Sequence, residues 1–217
     1  MPARSYTNLK MFAQCPAKYK AMVVDKSVPF TTTSAQQQGI DVHAALETAV
    51  STKSKLPDEF AEYQPIVDVL CKQEGDISCE RKLAIASDLS PIRYYDDNVW
   101  YRGILDVLVV NGTTARLYDY KHGNADYQDD DQLRENAILI FCNYPKVDII
   151  IASFIYLEAG KVTKLVIRRE DLHVLVVRLS KKEVPVLRAE KLKAFPMQKS
   201  HLCNYCQVTT CRYHNRG

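Results

Sequence analysis

The sequence predicts an α/β fold in a single domain. Helical and strand patterns alternate along 217 residues, and 47% of these residues are hydrophobic, which is enough for one full core. Asn-Gly at residues 111–112, flanked by β-branched residues, predicts a tight hairpin between two apolar strands. Because no internal repeat or low-complexity segment interrupts the pattern, residues 1–217 are expected to form one domain.

Apolar periodicity and turn residues predict the order of the elements. They are helices at 5–20, 34–50 and 58–73, strands at 77–86, 100–110 and 114–121, a helix at 129–143, a strand hairpin at 148–157 and 161–168, and a helix at 170–194. Ser34 is expected to cap the second helix, because its hydroxyl can accept a hydrogen bond from a free backbone N–H. Pro185 is expected to kink or split the last helix, because proline lacks that N–H.

Two acids and a lysine occur in largely apolar segments of the two strands that the Asn-Gly pair joins. Asp106 lies in an otherwise apolar segment, and Asp119 and Lys121 lie in the next one. An ionised carboxylate in such a place is costly unless it is paired or binds a metal. Two carboxylates beside one ammonium are suited to a divalent cation next to an anionic substrate, although satisfied strand acids with a surface lysine would give the same pattern.

The hairpin register predicts how these residues are arranged. If the Asn-Gly pair forms the loop, Val110 pairs with Thr113, and Asp119 becomes the diagonal neighbour of Asp106 on one face of the sheet. Lys121 lies two residues further along, so the strand period places it on the same face.

Two predicted helices carry further polar residues. Gly39, His43 and Glu47 follow at intervals of four, which places them on one stripe of the second helix. Gln132 lies at the start of the helix at 129–143, whose acidic first residues suit the positive end of the helix dipole. Glu80 lies in the first strand, where a plain salt bridge is an equal explanation.

Four of the seven cysteines occur near the two ends of the chain. Cys15 lies early, and Cys203, Cys206 and Cys211 lie late, with His214 three residues after the last. No segment at the N-terminus has the pattern of a signal peptide, so a reducing cytoplasmic location is expected. In that setting clustered cysteines indicate a metal rather than disulfides. Cys71, Cys79 and Cys142 are expected to be buried thiols.

Together these residues resemble the PD-(D/E)XK nuclease superfamily, and within it the RecB-like iron–sulfur branch, which includes CRISPR-associated exonucleases and phage-encoded relatives. The resemblance runs from Ser5 to about His214. It implies a restriction-endonuclease-like core, with a mixed central sheet flanked by helices, whose N- and C-terminal ends are joined at a metal cluster. Residues 1–30 and 195–217 would together form that cluster region.

The resemblance also implies roles for individual residues. Mn²⁺ or Mg²⁺ would be bound by His43, Asp106, Asp119 and the carbonyl of Tyr120. Lys121 would polarise the attacking water, and Gln132 would position the substrate. The family often has tyrosine four residues after this glutamine, but this chain has Asn136, which puts that contribution in doubt.

The same resemblance implies a [4Fe–4S] cluster on the four terminal cysteines. The sequence also permits a Zn²⁺ site formed by Cys203, Cys206, Cys211 and His214, because the number and type of ligands suit zinc equally well. The cluster would be structural, tying Cys15 to the C-terminal segment.

The charge distribution favours an anionic substrate. Residues 161–217 hold 13 Lys and Arg against 4 Asp and Glu, whereas residues 1–160 hold 16 against 22. The basic part could contact DNA phosphates, although a solvated lysine-rich helix is an equal explanation. The longest apolar run, residues 149–157, is too short to span a membrane.

The resemblance implies that the function is that of a metal-dependent exonuclease that hydrolyses single-stranded DNA ends. Two alternatives stay open: a non-catalytic DNA-binding or assembly subunit that keeps the nuclease fold, and a partner-dependent DNA end-processing nuclease. Its protein partners would come from recombination, replication or CRISPR-type systems. The sequence has no ATP-binding G-x-x-x-x-G-K-[ST] loop, so any helicase function would come from another protein.

Overall fold

A computed structural model describes residues 2–122 and 129–217 of the chain. Its regular elements are α1 (Tyr6–Gln14), α2 (Pro16–Tyr19), a π-helical turn (Lys20–Val24), α3 (Ser34–Thr52), a 3₁₀ segment (Asp58–Tyr63), α4 (Gln64–Cys71), β1 (Asp76–Ile85), β2 (Tyr101–Asn111), β3 (Thr114–Lys121), α5 (Asp131–Asn143), β4 (Ile149–Tyr156), β5 (Lys161–Arg168), a 3₁₀ turn (Arg169–Asp171), α6 (Leu172–Leu192) and a 3₁₀ segment (His201–Tyr205). The sheet and the helices confirm the α/β class that the sequence predicts. Pro185 lies within α6, which runs through it as one helix, so the predicted split is wrong.

The described chain divides into two compact units. One consists of Met1–Thr32 with Val176–Gly217, and the other of Thr33–Leu175. The first unit contains both parts of the predicted cysteine region, and the second contains the whole sheet. The expectation of one nuclease domain over residues 1–217 stays a prediction. No helix among the described residues is both long enough and apolar enough to span a membrane.

The five strands form one mixed sheet in the order β1-β2-β3-β4-β5. β3 and β4 are parallel, and the other neighbours are antiparallel. Short connections are sufficient between antiparallel strands, whereas parallel strands need a crossover. Here α5 lies in the crossover from β3 to β4. This mixed sheet flanked by helices is the expected architecture and is consistent with a restriction-endonuclease-like fold.

The predicted register of the β2–β3 hairpin is wrong by one position in the loop. Asn111 pairs with Thr114, so the loop consists of Gly112 and Thr113, and the expected Val110–Thr113 pair does not form. Gly112 has a φ of +58°, a left-handed conformation that favours glycine. Two-residue hairpin loops with glycine in the first position form a favoured turn, so the glycine rather than the asparagine sets the register.

One core cluster lies between the sheet and the helices α3 and α4. Buried aliphatic side chains of both helices pack there against Val107 and Val109 of β2 and Tyr120 of β3. α5 is largely buried, with Leu133, Ala137, Ile140 and Phe141 among its buried residues.

The N-terminus of α3 has a capping box. The Thr33 hydroxyl accepts a hydrogen bond from Gln36 N at 3.3 Å, and the Gln36 side chain accepts one from Thr33 N at 2.9 Å. The predicted cap, Ser34, is instead the first residue of the helix. Gln37, which would complete a box with Ser34, donates to Asp41 at 2.9 Å and is therefore engaged elsewhere.

Thr33→Ala should lower the free energy of unfolding by about 1 kcal/mol, because it removes the acceptor for a free N–H at the helix start. Urea unfolding followed by circular dichroism measures this change, with Ser34→Ala as the matched control. A larger loss of stability in Ser34→Ala than in Thr33→Ala would contradict the assignment of the cap.

Candidate active site

The pairing of β1 with β2 is interrupted at the level of Asp106. Cys79 pairs with Val107 and Arg81 with Leu105, but Glu80, opposite Asp106, is unpaired and has a φ of +46°. A non-glycine residue in this region of conformational space is strained, and such strain is common at functional sites.

The same position marks a change in the faces of β2. Val107 and Val109 pack in the core cluster with α3, whereas Tyr101 donates a hydrogen bond to Glu135 of α5. Gly103 also faces α5, since a Cβ atom there would lie 2.9 Å from Asn136 Oδ1. Odd-numbered residues of β2 therefore face opposite sides before and after Asp106. The β2–β3 pairing also ends at Val107–Tyr118, next to Asp106. The backbone beside this acid is therefore not part of a regular ladder on either side.

The carboxylate of Asp106 is held by the backbone of β3. Its Oδ2 accepts a hydrogen bond from Tyr120 N at 2.8 Å, and His43 Nδ1 on α3 lies 3.7 Å from the same oxygen. The structure thus brings together His43 and Asp106, two of the predicted metal ligands, next to the residue whose carbonyl is the predicted further ligand.

Asp119, Lys121 and Gln132 form a closed polar triangle. Lys121 Nζ lies 2.5 Å from Asp119 Oδ2 and donates to Gln132 Oε1 at 2.7 Å. Gln132 Nε2 donates in turn to Asp119 Oδ1 at 2.5 Å. The side chain of Gln132, near the start of α5, therefore fixes both the acid and the lysine of β3.

Burial and mutual repulsion disfavour the ionised forms of the acids at this site. Burial raises the pKa of Asp106 well above its ordinary value, and the nearby charge of Asp119 raises it further, while the Tyr120 N–H opposes the shift. Burial also raises the pKa of Asp119, which is only 3% exposed, against the opposing effects of Lys121 and Gln132. The charge of Asp119 also helps to raise the pKa of Glu80, after burial and the charge of Glu47. A bound cation would lower the cost of ionising these acids.

His43 is neutral at physiological pH in this environment. Burial lowers its pKa to about 4, and the charges of His122 and Lys121 act in the same direction. Its ring makes an edge contact with Tyr120, with the centroids 5.5 Å apart. A neutral imidazole keeps a lone pair available for a metal ion.

His122 is a site residue that the sequence reasoning missed. Its ring stacks with that of His43 at a centroid distance of 6.1 Å, and its Nδ1 lies 3.6 Å from Glu158. Gly39 leaves room for it, because a Cβ atom there would lie 3.3 Å from His122 Cδ2. The available signal was the strand period, which, continued one residue past the end of β3, places His122 on the same side as Tyr120.

Asn136, at the position where the family often has tyrosine, is buried against Gly103 rather than directed to the acids. The departure from the family pattern thus coincides with a close contact between α5 and β2.

The predicted cluster residues lie in the unit formed by the two chain ends. Cys15, Cys203, Cys206, Cys211 and His214 all line one cavity of about 310 Å³. Cys211 Sγ lies 3.8 Å from Met197 Sδ. His214 Nδ1 is buried and has no hydrogen-bond partner in the described ranges. Cys71, Cys79 and Cys142 are predicted to be buried, but they are only half-buried.

Throughout residues 2–122 and 129–217, no three His, Cys, Asp or Glu side chains are arranged so that they could hold a metal ion. The side chains that the sequence predicts as ligands lie near one another without forming a coordination sphere. At Asp119 the reason is visible, because both carboxylate oxygens are engaged by Lys121 and Gln132. The metal cluster joining the chain ends stays a prediction.

Asp106→Asn should raise the melting temperature of the metal-free protein at pH 7. A carboxyl with a higher pKa in the folded than in the unfolded chain costs stability as the pH rises above the unfolded value, and the substitution removes this cost. The difference from the wild type should shrink as the pH falls toward the ordinary pKa of aspartate. Thermal unfolding in chelator measures it, with the exposed Asp97→Asn as control. An unchanged or lower melting temperature at pH 7 would contradict the statement that the pKa of Asp106 is raised in the folded protein.

Comparisons with known proteins find a superfamily match over part of the chain and a similar fold over most of it. Residues 3–79, which include Cys15 and His43, match the sequence model of the PD-(D/E)XK nuclease superfamily. The crystal structure of a protein named "Putative exonuclease" from Eubacterium rectale is similar with a TM-score of 0.56 and 12% identity, over 95% of this chain and 87% of that chain. At this identity the similarity shows the fold alone.

The structure of SSO0001 gives a TM-score of 0.47 with 16% identity, over 99% of this chain and 88% of that chain, which is too low to add to the fold assignment. No curated protein sequence matches the chain. The chain is therefore similar to the PD-(D/E)XK nuclease superfamily over residues 3–79, and its fold is similar to that of the Eubacterium rectale protein.

Proposed function

We propose that this protein is a metal-dependent deoxyribonuclease of the RecB-like iron–sulfur group that hydrolyses phosphodiester bonds at single-stranded DNA ends. The observation that carries the proposal is the crowding of Asp106 and Asp119 beside Lys121 and His43. Buried acids with raised pKa values and specific charged neighbours are typical of catalytic sites. The superfamily match supports the nuclease chemistry.

The donors at this site fit Mn²⁺ or Mg²⁺. His43, Asp106, Asp119 and the carbonyl of Tyr120 would hold the ion, which lowers the pKa of water and offsets charge on the phosphate. Carboxylate and carbonyl oxygens suit these hard cations, and the neutral imidazole of His43 adds one nitrogen. The Tyr120 N–H orients Asp106 by binding one oxygen and leaving the other available.

Lys121 and Gln132 would act on the water and the phosphate. During hydrolysis a water oxygen bonds to phosphorus, the bond from phosphorus to the leaving oxygen breaks, and negative charge builds on the phosphate. The Lys121 ammonium would orient that water and stabilise this charge, provided that it shifts from Asp119. Gln132 holds the lysine through Oε1 and the acid through Nε2, so it would position both as substrate enters.

Lys121→Ala should abolish Mn²⁺-dependent degradation of end-labelled single-stranded DNA without unfolding the protein, because it removes the ammonium but keeps the acids. The assay compares wild type, Lys121→Ala and the exposed Lys161→Ala, with thermal unfolding as the folding control. We expect a rate loss of at least about a hundredfold for Lys121→Ala, the usual scale for one charge-stabilising group.

Wild-type activity in Lys121→Ala would contradict the role of the lysine. If the folded wild type cleaves no DNA in the presence of Mn²⁺, the proposal fails. The non-catalytic assembly subunit or a nuclease that requires a partner would then be the better explanation.

We also propose that Cys15, Cys203, Cys206 and Cys211 hold a [4Fe–4S] cluster with a structural role. The support is that all four line one cavity in the unit that contains both chain ends. The competing Zn²⁺ site replaces Cys15 with His214, and the unpartnered, buried Nδ1 of that histidine favours it. Both sites would tie the chain ends together, but they differ in the use of Cys15.

Cys203→Ser should lower the soluble yield, because the thiolate belongs to both ligand sets. Metal analysis of anaerobically purified protein then separates the two sites. Iron and sulfide with a brown colour that Cys15→Ser removes would support the cluster, whereas stoichiometric zinc retained in Cys15→Ser would overturn it. Cys142→Ser, a half-buried cysteine of α5, is the control.

A further inference from the structure

Another cavity, of about 500 Å³, lies in the unit formed by Thr33–Leu175 and shares no residue with the candidate active site. α4 supplies one wall, and β3, β4 and β5 supply the other. Three directly paired positions of β4 and β5 place their side chains on one face of the sheet. These pairs are Ile151–Val166, Ser153–Lys164 and Ile155–Val162.

The walls of this cavity expose aliphatic side chains to solvent. Val69 on α4 is 58% exposed and Val162 on β5 is 49% exposed, and Val166, which lies beside the cavity on β5, is 56% exposed. These three valine side chains of α4 and β5 are therefore open to solvent. A contiguous apolar patch of this kind, bordered by polar residues, is typical of a binding surface.

Ser153 places an unpartnered hydroxyl in the wall of the cavity. The residue is 1% exposed, and its Oγ has no hydrogen-bond partner among the residues that the structure describes. Buried hydroxyl groups are nearly always hydrogen-bonded, so an exception needs an explanation. A ligand that brings a hydrogen-bonding group into the cavity would provide one.

Two cations also line the cavity. Arg116 of β3 and Lys164 of β5 have no ion-pair partner within residues 2–122 and 129–217, and no Asp or Glu lines the cavity beside them. The rim therefore carries an uncompensated positive charge. Charge complementarity at such a rim favours an anionic partner.

We propose that this groove binds a protein segment that inserts aliphatic side chains between α4 and β5, hydrogen-bonds Ser153 and places a carboxylate between Arg116 and Lys164. An amphipathic acidic segment matches both the apolar walls and the basic rim. DNA matches them less well, because aliphatic walls neither pair with phosphates nor stack bases. The surface adds to the proposed nuclease function and does not depend on it.

The test is a titration of the isotope-labelled full chain, followed by NMR. The probe is a short helical peptide with leucines along one face and glutamates beside them. Matched peptides carry lysine in place of glutamate, or alanine in place of leucine. We expect the acidic leucine peptide to shift the amide signals of Ser153 and Val162 and to bind about tenfold more tightly than either control. Lys164→Glu should remove this preference, whereas Lys161→Glu on the same strand should keep it.

Equal binding of the lysine peptide, or no shift in the groove with any peptide, would overturn the proposal. Shifts of the same amides by a single-stranded oligonucleotide would assign the groove to substrate instead. Self-association that is lost in Lys164→Glu would assign it to a second copy of the chain. If Lys164→Glu does not fold, Ser153→Ala replaces it, with a severalfold loss of peptide affinity expected at unchanged thermal stability.

Discussion

The energetic cost of two carboxylates in a largely buried position governs the local structure. Neither Asp106 nor Asp119 is left without a donor: one is bound by a backbone N–H, and the other by an ammonium and an amide. Even so, burial keeps both pKa values above normal. The internal partners therefore reduce the cost of ionising the two acids but do not remove it. A divalent cation would offset the remaining cost.

The sheet reaches this arrangement by giving up regular pairing at one level. At Glu80 and Asp106 the antiparallel ladder is interrupted, and the odd-numbered side chains of β2 change from one helix layer to the other. A continuous strand would have kept the carboxylate in one layer. The strained backbone of Glu80 thus lies opposite the point where Asp106 contacts both His43 of α3 and the Tyr120 N–H of β3.

Local patterns predicted most of the fold, because each strand and helix has its own period and its own turn residues. The proximity of Asp106 and Asp119 followed from the same hairpin, although the register was wrong, since the sequence does not show which residue of an Asn-Gly pair enters the loop first. Thr33 was missed because Gln36 and Gln37 offer two equivalent capping registers. The stacking of His122 on His43 and the shared cavity of the cysteines depend on contacts between distant segments, which no local period encodes.

Gly39 contacts the candidate active site only indirectly, through the ring of His122. The His122 ring packs against the space where a side chain at Gly39 would lie, and this ring in turn stacks with that of His43. Side chains of increasing size at this position would press first on His122 and only through it on the imidazole. Substitutions at Gly39 could therefore change the position of His43 in graded steps, while the acids, the lysine and the glutamine of the site stay unchanged.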